Sequence, residues 1–423
     1  MTQFDVAYVR TQFPALRRIV DGRPAAYLDG PGGTQTPQRV VDAVREYLTE
    51  HNANWGGAFV TSEETDAIQD AARAAGADFL GCAPAAVSFG ANMTTLTYLL
   101  ADALGRRLEP GDEVVITALD HEANRGPWLH LQERGLVVRE APVDLETCTL
   151  DWPAFEELIR PGHTKIVALG YASNAVGTVN DVARAAGLAR DAGAFSVVDA
   201  VHYALHGSID VEAVGCDFLV CSAYKFFGPH VGLLYARPAA TAQVEPLRLS
   251  TQHSEPPYVW ETGTPNFEGL AGATAAIDFI ADIGERHMAG VGEDPLAGLG
   301  GRRRAVVAGM VACEAYEQPL ATHLREQLAA IPGVTLFGPP ESSPRTSTVS
   351  FTIDGFLASE AARALGDRGL FVWDGDFYAA RLVELLGLAD RGGLIRAGLA
   401  PYTTQGELER LVDAVSGLAR SVR

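Results

Sequence analysis

The sequence predicts an α/β fold with a mostly parallel sheet, followed by a smaller α+β C-terminal domain. Three observations predict it. Short β-rich runs alternate with Ala/Leu-rich helical stretches from about residue 26 to 240, the pattern of strand–helix–strand units. The chain has 423 residues, more than one hydrophobic core accommodates. Beyond a Gly-rich, charged stretch at 284–301 the alternation stops and a different order of elements begins.

The strand candidates are 87–89, 113–117, 137–141, 165–171, 195–199, 217–222 and 232–235. Helical patterns at 94–104, 124–133, 152–159 and 181–192 lie between them. These elements define a large domain over 22–283. The stretch 284–301, with Gly284, Gly290, Gly292, Gly298, Gly300 and Gly301, reads as a surface loop. A small domain over 302–423 follows, to which segment 1–21 is joined. It holds a helix at 302–330, a strand at 334–337, a Pro/Ser loop at 339–344, a strand at 348–353 and a helix at 358–368. A last strand–helix pair ends near Ser421. No internal repeat is visible.

Composition excludes several classes. Hydrophobic residues make up 47% and charged residues 20%, as in an ordinary globular protein. The formal net charge is −20, from 53 acidic and 33 basic residues, which argues against nucleic-acid or anionic-membrane binding. Five cysteines, at 82, 148, 216, 221 and 313, form no CxxC pair. Neither a disulfide framework nor a metal site is expected. The start, Met1-Thr2-Gln3-Phe4-Asp5, lacks the basic and apolar regions of a signal peptide, and no apolar run is long enough for a membrane span. The expected location is cytoplasmic.

The chemistry centres on Cys221-Ser222-Ala223-Tyr224-Lys225-Phe226-Phe227-Gly228-Pro229. Lys225 follows one apolar run, and Asp199, 26 positions upstream, ends another. In parallel sheets, ligands bind beyond the carboxyl ends of the strands. A lysine and an aspartate so placed suit pyridoxal 5′-phosphate: the amine forms a Schiff base, and the carboxylate keeps the pyridinium nitrogen protonated. Val87-Ser88-Phe89-Gly90-Ala91-Asn92-Met93-Thr94 reads as strand, turn and helix start, an anion site through free amides and helix dipole. Ser222 and Tyr224 add hydroxyls beside the lysine. His121 could stack on a ring, and Asn174 and His202 could contact its phenolic oxygen. Taken singly, each is as readily a cap, turn or loop residue. Their common position past strand ends is what argues for one site. The competing motifs fail: His121-Glu122 is not HExxH because position 125 is Arg, and Gly30-Pro31-Gly32-Gly33 does not continue as GxGxxG.

These residues resemble the class V aminotransferase family of fold-type I pyridoxal phosphate enzymes, and within it the cysteine desulfurases. The motifs carrying the resemblance occur in order: Asp-His-x-Ala-Asn at 120–124, Ser-Asn-x-x-Gly at 173–177, Asp-x-x-His at 199–202 and Ser-x-x-Lys at 222–225. Glu261-Thr262-Gly263-Thr264-Pro265 and Arg396-Ala397-Gly398 complete the set. The resemblance implies a seven-stranded sheet in the large domain. It implies Lys225 as Schiff-base lysine and base, Asp199 on the ring nitrogen and His121 on the ring face. Asn174 and His202 would contact the phenolic oxygen, where desulfurases usually have glutamine at the position of His202. Met93, Thr94, Ser222 and Tyr224 would hold the phosphate, with Tyr224 in place of the usual histidine. Thr264 would reach a phosphate across a homodimer interface, and Arg396 would clamp the carboxylate of an amino-acid substrate.

The substrate side departs from the pattern. Desulfurases carry a mobile cysteine in a segment like Val-Arg-x-Gly-x-x-Cys-Ala. Here the segment reads Val372-Trp373-Asp374-Gly375-Asp376-Phe377-Tyr378-Ala379, and no cysteine follows Cys313. Asn52-Ala53-Asn54-Trp55-Gly56-Gly57 stands where a His-Arg-Gly sequence is usual. Trp55, Trp373, Phe377 and Tyr378 suggest an aromatic-lined substrate pocket. The expected activity is β-elimination from an amino acid or cysteine S-conjugate, without persulfide formation. Aminotransfer, epimerisation and decarboxylating oxidative deamination remain open alternatives, as does a non-catalytic partner of this fold.

Overall fold

The computed structural model describes residues 4–421. The first three residues of segment 1–21 and the last two of 302–423 lie outside the described residues. All seven expected strands form one sheet: β1 (Val87–Gly90), β2 (Glu113–Thr117), β3 (Val137–Ala141), β4 (Thr164–Gly170), β5 (Phe195–Asp199), β6 (Phe218–Ser222) and β7 (Gly232–Ala236). Their spatial order is β1-β7-β6-β5-β4-β2-β3. β7 runs antiparallel to both of its neighbours, and the other pairs are parallel.

The longer helices are α1 (Val60–Leu80), α2 (Met93–Gly105), α3 (Val182–Ala192), α4 (Phe267–His287), α5 (Gly301–Ala329), α6 (Ala358–Gly366) and α7 (Gln405–Ser421). Alternate strand residues point to opposite sheet faces. Val115, Val167, Leu169 and Leu219 join one cluster with residues of α1, α3 and α4. Val114, Ile116, Ile166, Ala168 and Val220 join another with α2 and Trp128. Burial on both faces explains why these strands read as continuous apolar runs. Caps fix the helix starts: Asn92 Oδ1 accepts from Thr95 N at 2.9 Å for α2, and Asp181 Oδ1 accepts from Arg184 N at 3.0 Å for α3.

The structure corrects two expected elements. The helix expected over 124–133 is broken into the turns Glu122–Asn124, Gly126–Leu129 and His130–Arg134. Pro127 has no amide hydrogen and is tolerated only in a first turn, so a new helix must start beside it. Residues 284–287, expected in the Gly-rich loop, are the last turn of α4. Gly284 is a contact point there. A Cβ at 284 would lie 1.8 Å from Ala305 O, and one at 309 would lie 2.1 Å from Ile280 O. The two glycines let α4 and α5 cross backbone to backbone.

Helix α5 then carries the chain from one core to another. Ala305, Val306, Met310 and Cys313 belong to the main cluster, whereas Ala321, Leu324 and Leu328 belong to the C-terminal one. Strands β8 (Val334–Phe337), β9 (Thr348–Ile353), β10 (Trp373–Gly375) and β11 (Leu394–Gly398) form an antiparallel sheet in the order β8-β9-β11-β10. The N-terminal segment clasps both parts: Arg10 donates to Tyr402 O at 2.6 Å, and Phe13 meets Phe227, Phe279 and Tyr402. Among the described residues, no helix is long and apolar enough to cross a membrane.

The α4–α5 crossing gives a direct expectation. Gly284→Val should destabilise by about 2 kcal/mol or more through overpacking and lower the apparent thermal midpoint. Gly292→Ala, at a position with open space around it, should leave the midpoint unchanged. Equal midpoints for wild type and Gly284→Val would contradict the close crossing.

Candidate active site

The carboxyl edge of the large sheet gathers side chains from the ends of five of its strands. Asp199 ends β5 and Ser222 ends β6. Lys225 closes the 3₁₀ turn that follows β6. His121 follows β2, Asn174 follows β4, and Thr94 lies in the first turn of α2 after β1. They surround a two-lobed cavity with volumes of about 580 Å³ and 880 Å³, a size suited to a small-molecule site. The lobes share Thr94, His121, Asn174, Tyr224 and Lys225.

The inner lobe has the features of an anion seat. α2 begins at its wall, and first-turn amides have no acceptor within their own helix. Met93 N donates to Ser222 Oγ at 2.9 Å, joining β6 to the helix start. Tyr224 and His230 stack with centroids 5.0 Å apart and both line this lobe. Sequence reasoning missed His230. It was sought past the carboxyl ends of parallel strands, but β7 runs the other way, so the residues before β7 arrive at the same edge. Gly232 permits this approach, since a Cβ there would lie 2.6 Å from Asn92 C.

Three charged groups face one another across the lobes. Burial pushes the Lys225 amine down to about 7, helped by Arg396 and opposed by Asp199. Its Nζ donates to Pro31 O. Burial raises the Asp199 carboxyl to about 6, against the pull of the Val201 amide and Lys225. Asp199 Oδ1 accepts from Val201 N at 2.9 Å, which orients the carboxylate. Arg396, 3% exposed, is lowered to about 9 by burial, with Asp29 opposing. Its Nη1 donates to Asn174 O at 2.7 Å, its guanidinium lies 4.0 Å from the Phe377 ring centroid, and its Nε has no partner.

His121 is held as a neutral ring. Its Nδ1 accepts from Ala123 N at 2.9 Å, so the proton sits on Nε2. Burial, then Lys225 and Arg396, lowers its pKa to about 4. Beneath it, Asp120 accepts from Gly170 N at 2.9 Å and from Asn124 Nδ2 at 3.1 Å, tying the His121 turn to β4. Asp120, which the sequence offered as part of a motif without a role, is raised to about 7, chiefly by burial.

The loop at 373–378 is tightly held. Phe377 and Tyr378 are consecutive non-glycine residues at φ 56° and 58°, a left-handed conformation costing roughly 1–3 kcal/mol each. Three hydrogen bonds fix them: Asn174 Nδ2 to Phe377 O at 2.8 Å, Glu122 N to Tyr378 O at 2.6 Å, and Tyr378 N to Asp376 Oδ1 at 2.9 Å. The Tyr378 ring lies 5.5 Å from His121 and is largely exposed. Trp373, Phe377 and Tyr378 all line the outer lobe.

Two expected site residues are not brought to Lys225 within this chain. Trp55 and Thr264 line a different cavity, where Trp55 stacks on Tyr258 at 5.8 Å. Beside it a buried ion pair absent from the sequence reading, Arg73 with Glu261 at 2.8 Å, anchors the 261–265 segment. His202 does line the inner lobe, but its Nε2 is bonded to Thr346 Oγ1 at 3.2 Å and Thr348 Oγ1 at 3.0 Å. Only Nδ1 is left for a ligand. No cysteine lines either lobe.

The mostly parallel seven-stranded sheet, with its small antiparallel C-terminal sheet, is the fold of the fold-type I pyridoxal phosphate enzymes. The class-V aminotransferase model matches residues 26–293 and 303–411. The chain belongs to the class-V aminotransferase family, whose enzymes use pyridoxal phosphate. A cysteine desulfurase of Serratia proteamaculans is 32% identical over 434 residues, covering 99% of this chain and 98% of that one. The apo structure of the Thermococcus onnurineus NA1 cysteine desulfurase is similar with a TM-score of 0.85 at 27% identity, covering 98% of each chain. The S-sulfonic acid form of the Escherichia coli cysteine desulfurase CsdA gives 0.82 at 28% identity, covering 99% of each.

Two expectations follow. The rate at which apoprotein captures pyridoxal phosphate, followed by absorbance, should rise with pH and level off above about 7, because the neutral amine is the nucleophile. A rate still climbing through the range of an ordinary lysine would contradict a depressed Lys225. His230→Ala should weaken cofactor affinity about tenfold, measured by absorbance titration. An unchanged affinity would remove His230 from the anion seat.

Proposed function

We propose that the protein is a pyridoxal phosphate enzyme that eliminates the β-substituent of a cysteine S-conjugate or similar amino acid, and that it forms no protein persulfide. The carrying observation is the chemistry of the cavity wall: a lysine, a buried arginine and a tyrosine at 378, with no thiol. Cys148, Cys216, Cys221 and Cys313 are buried. Burial raises every one of the five thiols, Cys82 and Cys216 to about 12, so none is poised as a thiolate.

The residues present fit the cofactor. Asp199 is a buried carboxylate with no cation within ion-pair distance, which suits a pyridinium nitrogen. Asn174 Oδ1 is buried and unpartnered. Thr94, Ser222, Tyr224 and His230 would hold the phosphate, His121 would cover the ring, and Asn174 and His202 would face the phenolic oxygen. When bound, the cofactor supplies the electron sink that stabilises negative charge at Cα. Lys225, with its amine near neutrality, takes the proton from Cα. Arg396 holds the substrate carboxylate through its free guanidinium edge. Tyr378 and Trp373 cover the outer lobe and restrict water. The overall reaction balances: an S-conjugate and water give pyruvate, ammonium and a free thiol. Trp55 and Thr264, distant from Lys225 in one chain, would complete the site of a second copy in a homodimer. Nothing in the net charge or helices suggests nucleic acid or membrane as partner.

The aromatic outer lobe also favours a second reading, in which a bulkier amino acid is transaminated, epimerised or oxidatively decarboxylated. One assay separates these. Holo-protein given S-alkyl cysteines should release pyruvate, ammonium and thiol in equal amounts, and Lys225→Ala should lose about 10²–10⁴-fold of that activity. With L-cysteine the products should be pyruvate and sulfide. Alanine with protein-bound persulfide would overturn the proposal. A keto acid that retains the side chain would favour transamination, and deuterium uptake at Cα without net turnover would favour epimerisation.

A further inference from the structure

The outer lobe is electrically polarised. At its inner end stands Arg396, buried, with an unpartnered Nε. At its mouth stands the Asp376 carboxylate, which has no ion-pair partner among the described residues. Asp374, paired with Ile395 across β10 and β11, leaves the opposite face of the sheet. The nearby cation in sequence, Arg381, is taken by Glu140 and Glu384, and Arg125 is taken by Glu122 and Glu140. Asp376 spends one oxygen on the Tyr378 amide.

Aromatic rings flank this carboxylate. Trp373 and Tyr378 are 49% and 72% exposed at the rim. Trp373 is the register partner of Arg396 across β10 and β11, so the two side chains leave the same face of the sheet. The indole is held against the Gly32 backbone, where a Cβ would lie 2.1 Å from its Nε1. The lobe therefore has a buried cation at one end and, at the solvent end, aromatic rings beside an anion.

We infer that the substrate carries a positive charge on its side chain. Arg396 takes the α-carboxylate, and the rings of Trp373 and Tyr378 with the carboxylate of Asp376 take the distal cation. Cation–π attraction and an unpaired carboxylate act together on such a group. A neutral aromatic substrate would use the rings but leave the carboxylate beside its apolar end, and an anionic one would be repelled. The inference rests on the reading of Arg396 and Lys225 as an amino-acid site, but not on the reaction performed there.

Binding to holo-protein tests it, followed by the change in cofactor absorbance with L-lysine, L-norleucine and L-2-aminoadipate. These differ mainly in end-group charge, and none carries a leaving group at Cβ. L-lysine should half-saturate at a concentration about tenfold below L-norleucine, with L-2-aminoadipate weakest. Asp376→Asn should bring the lysine-to-norleucine ratio close to one, in protein whose cofactor spectrum is that of wild type. Equal or tighter binding of L-norleucine, or a ratio untouched by the substitution, would overturn the inference. A lysine preference alongside no elimination from S-conjugates would uphold the charge assignment and remove only the proposed reaction. A spectrum unmoved by all three amino acids would overturn both.

Discussion

The packing of the turn at 30–34 against the Lys225 turn is the constraint on which the site depends. Lys225 Nζ donates to Pro31 O, Thr34 N donates to Tyr224 O at 3.1 Å, and Phe227 N donates to Thr34 Oγ1 at 2.8 Å. Lys225 belongs to the edge of the large sheet. Pro31 belongs to the turn after Tyr27-Leu28-Asp29, and that turn is pressed against β11, where a Cβ at 398 would lie 2.1 Å from Pro31 Cδ. Gly30 likewise faces the carbonyls of Gly398 and Leu399. The amine is therefore held between two sheets, partly shielded from water. The shielding that lowers its pKa is produced by the same packing that places Arg396 and the 373–378 loop over it.

Much of this was legible in the sequence, and the reasons are physical. Burial on both faces makes the strands of a parallel sheet continuous apolar runs, so all seven were found. A ligand site past their carboxyl ends then follows from topology, which is why Asp199, Lys225, His121 and Asn174 could be grouped before any geometry was known. His230 escaped because a strand's direction is not written in its composition. The residues preceding a reversed strand look like any other loop. Gly284 was misread for a related reason: a glycine among charged residues signals a loop locally, and only the neighbouring helix reveals it as a crossing point. The roles of Asp120 and Arg73 were unreadable, since they rest on Gly170 and Glu261, which are distant in sequence. Trp55 and Thr264 share a cavity that adjacency in sequence does not suggest.

Conservative and altered parts of the site are spatially separate. The inner lobe, built from sheet edge and helix start, retains the groups that the family resemblance assigns to the cofactor. It holds two exchanges, and each is supported locally: Tyr224 stacks with a histidine delivered by the reversed strand, and His202 is bonded to Thr346 and Thr348. The outer lobe is built mainly from the C-terminal sheet and one loop. There the resemblance to the desulfurases is weakest: Trp373 and Tyr378 stand where it implies an arginine and a cysteine, beside the Asp376 carboxylate. Rigid strands position the inner lobe, and a loop held by hydrogen bonds positions the outer one.

The left-handed pair Phe377–Tyr378 has a mechanical consequence. The loop is anchored by hydrogen bonds from Asn174 and Glu122 and to Asp376, and by the Phe377 ring packed against the Arg396 guanidinium. Whatever side chain stands at 378 is therefore presented from one fixed point. A thiol placed there would supply the atom without the motion that handing sulfur to an acceptor requires.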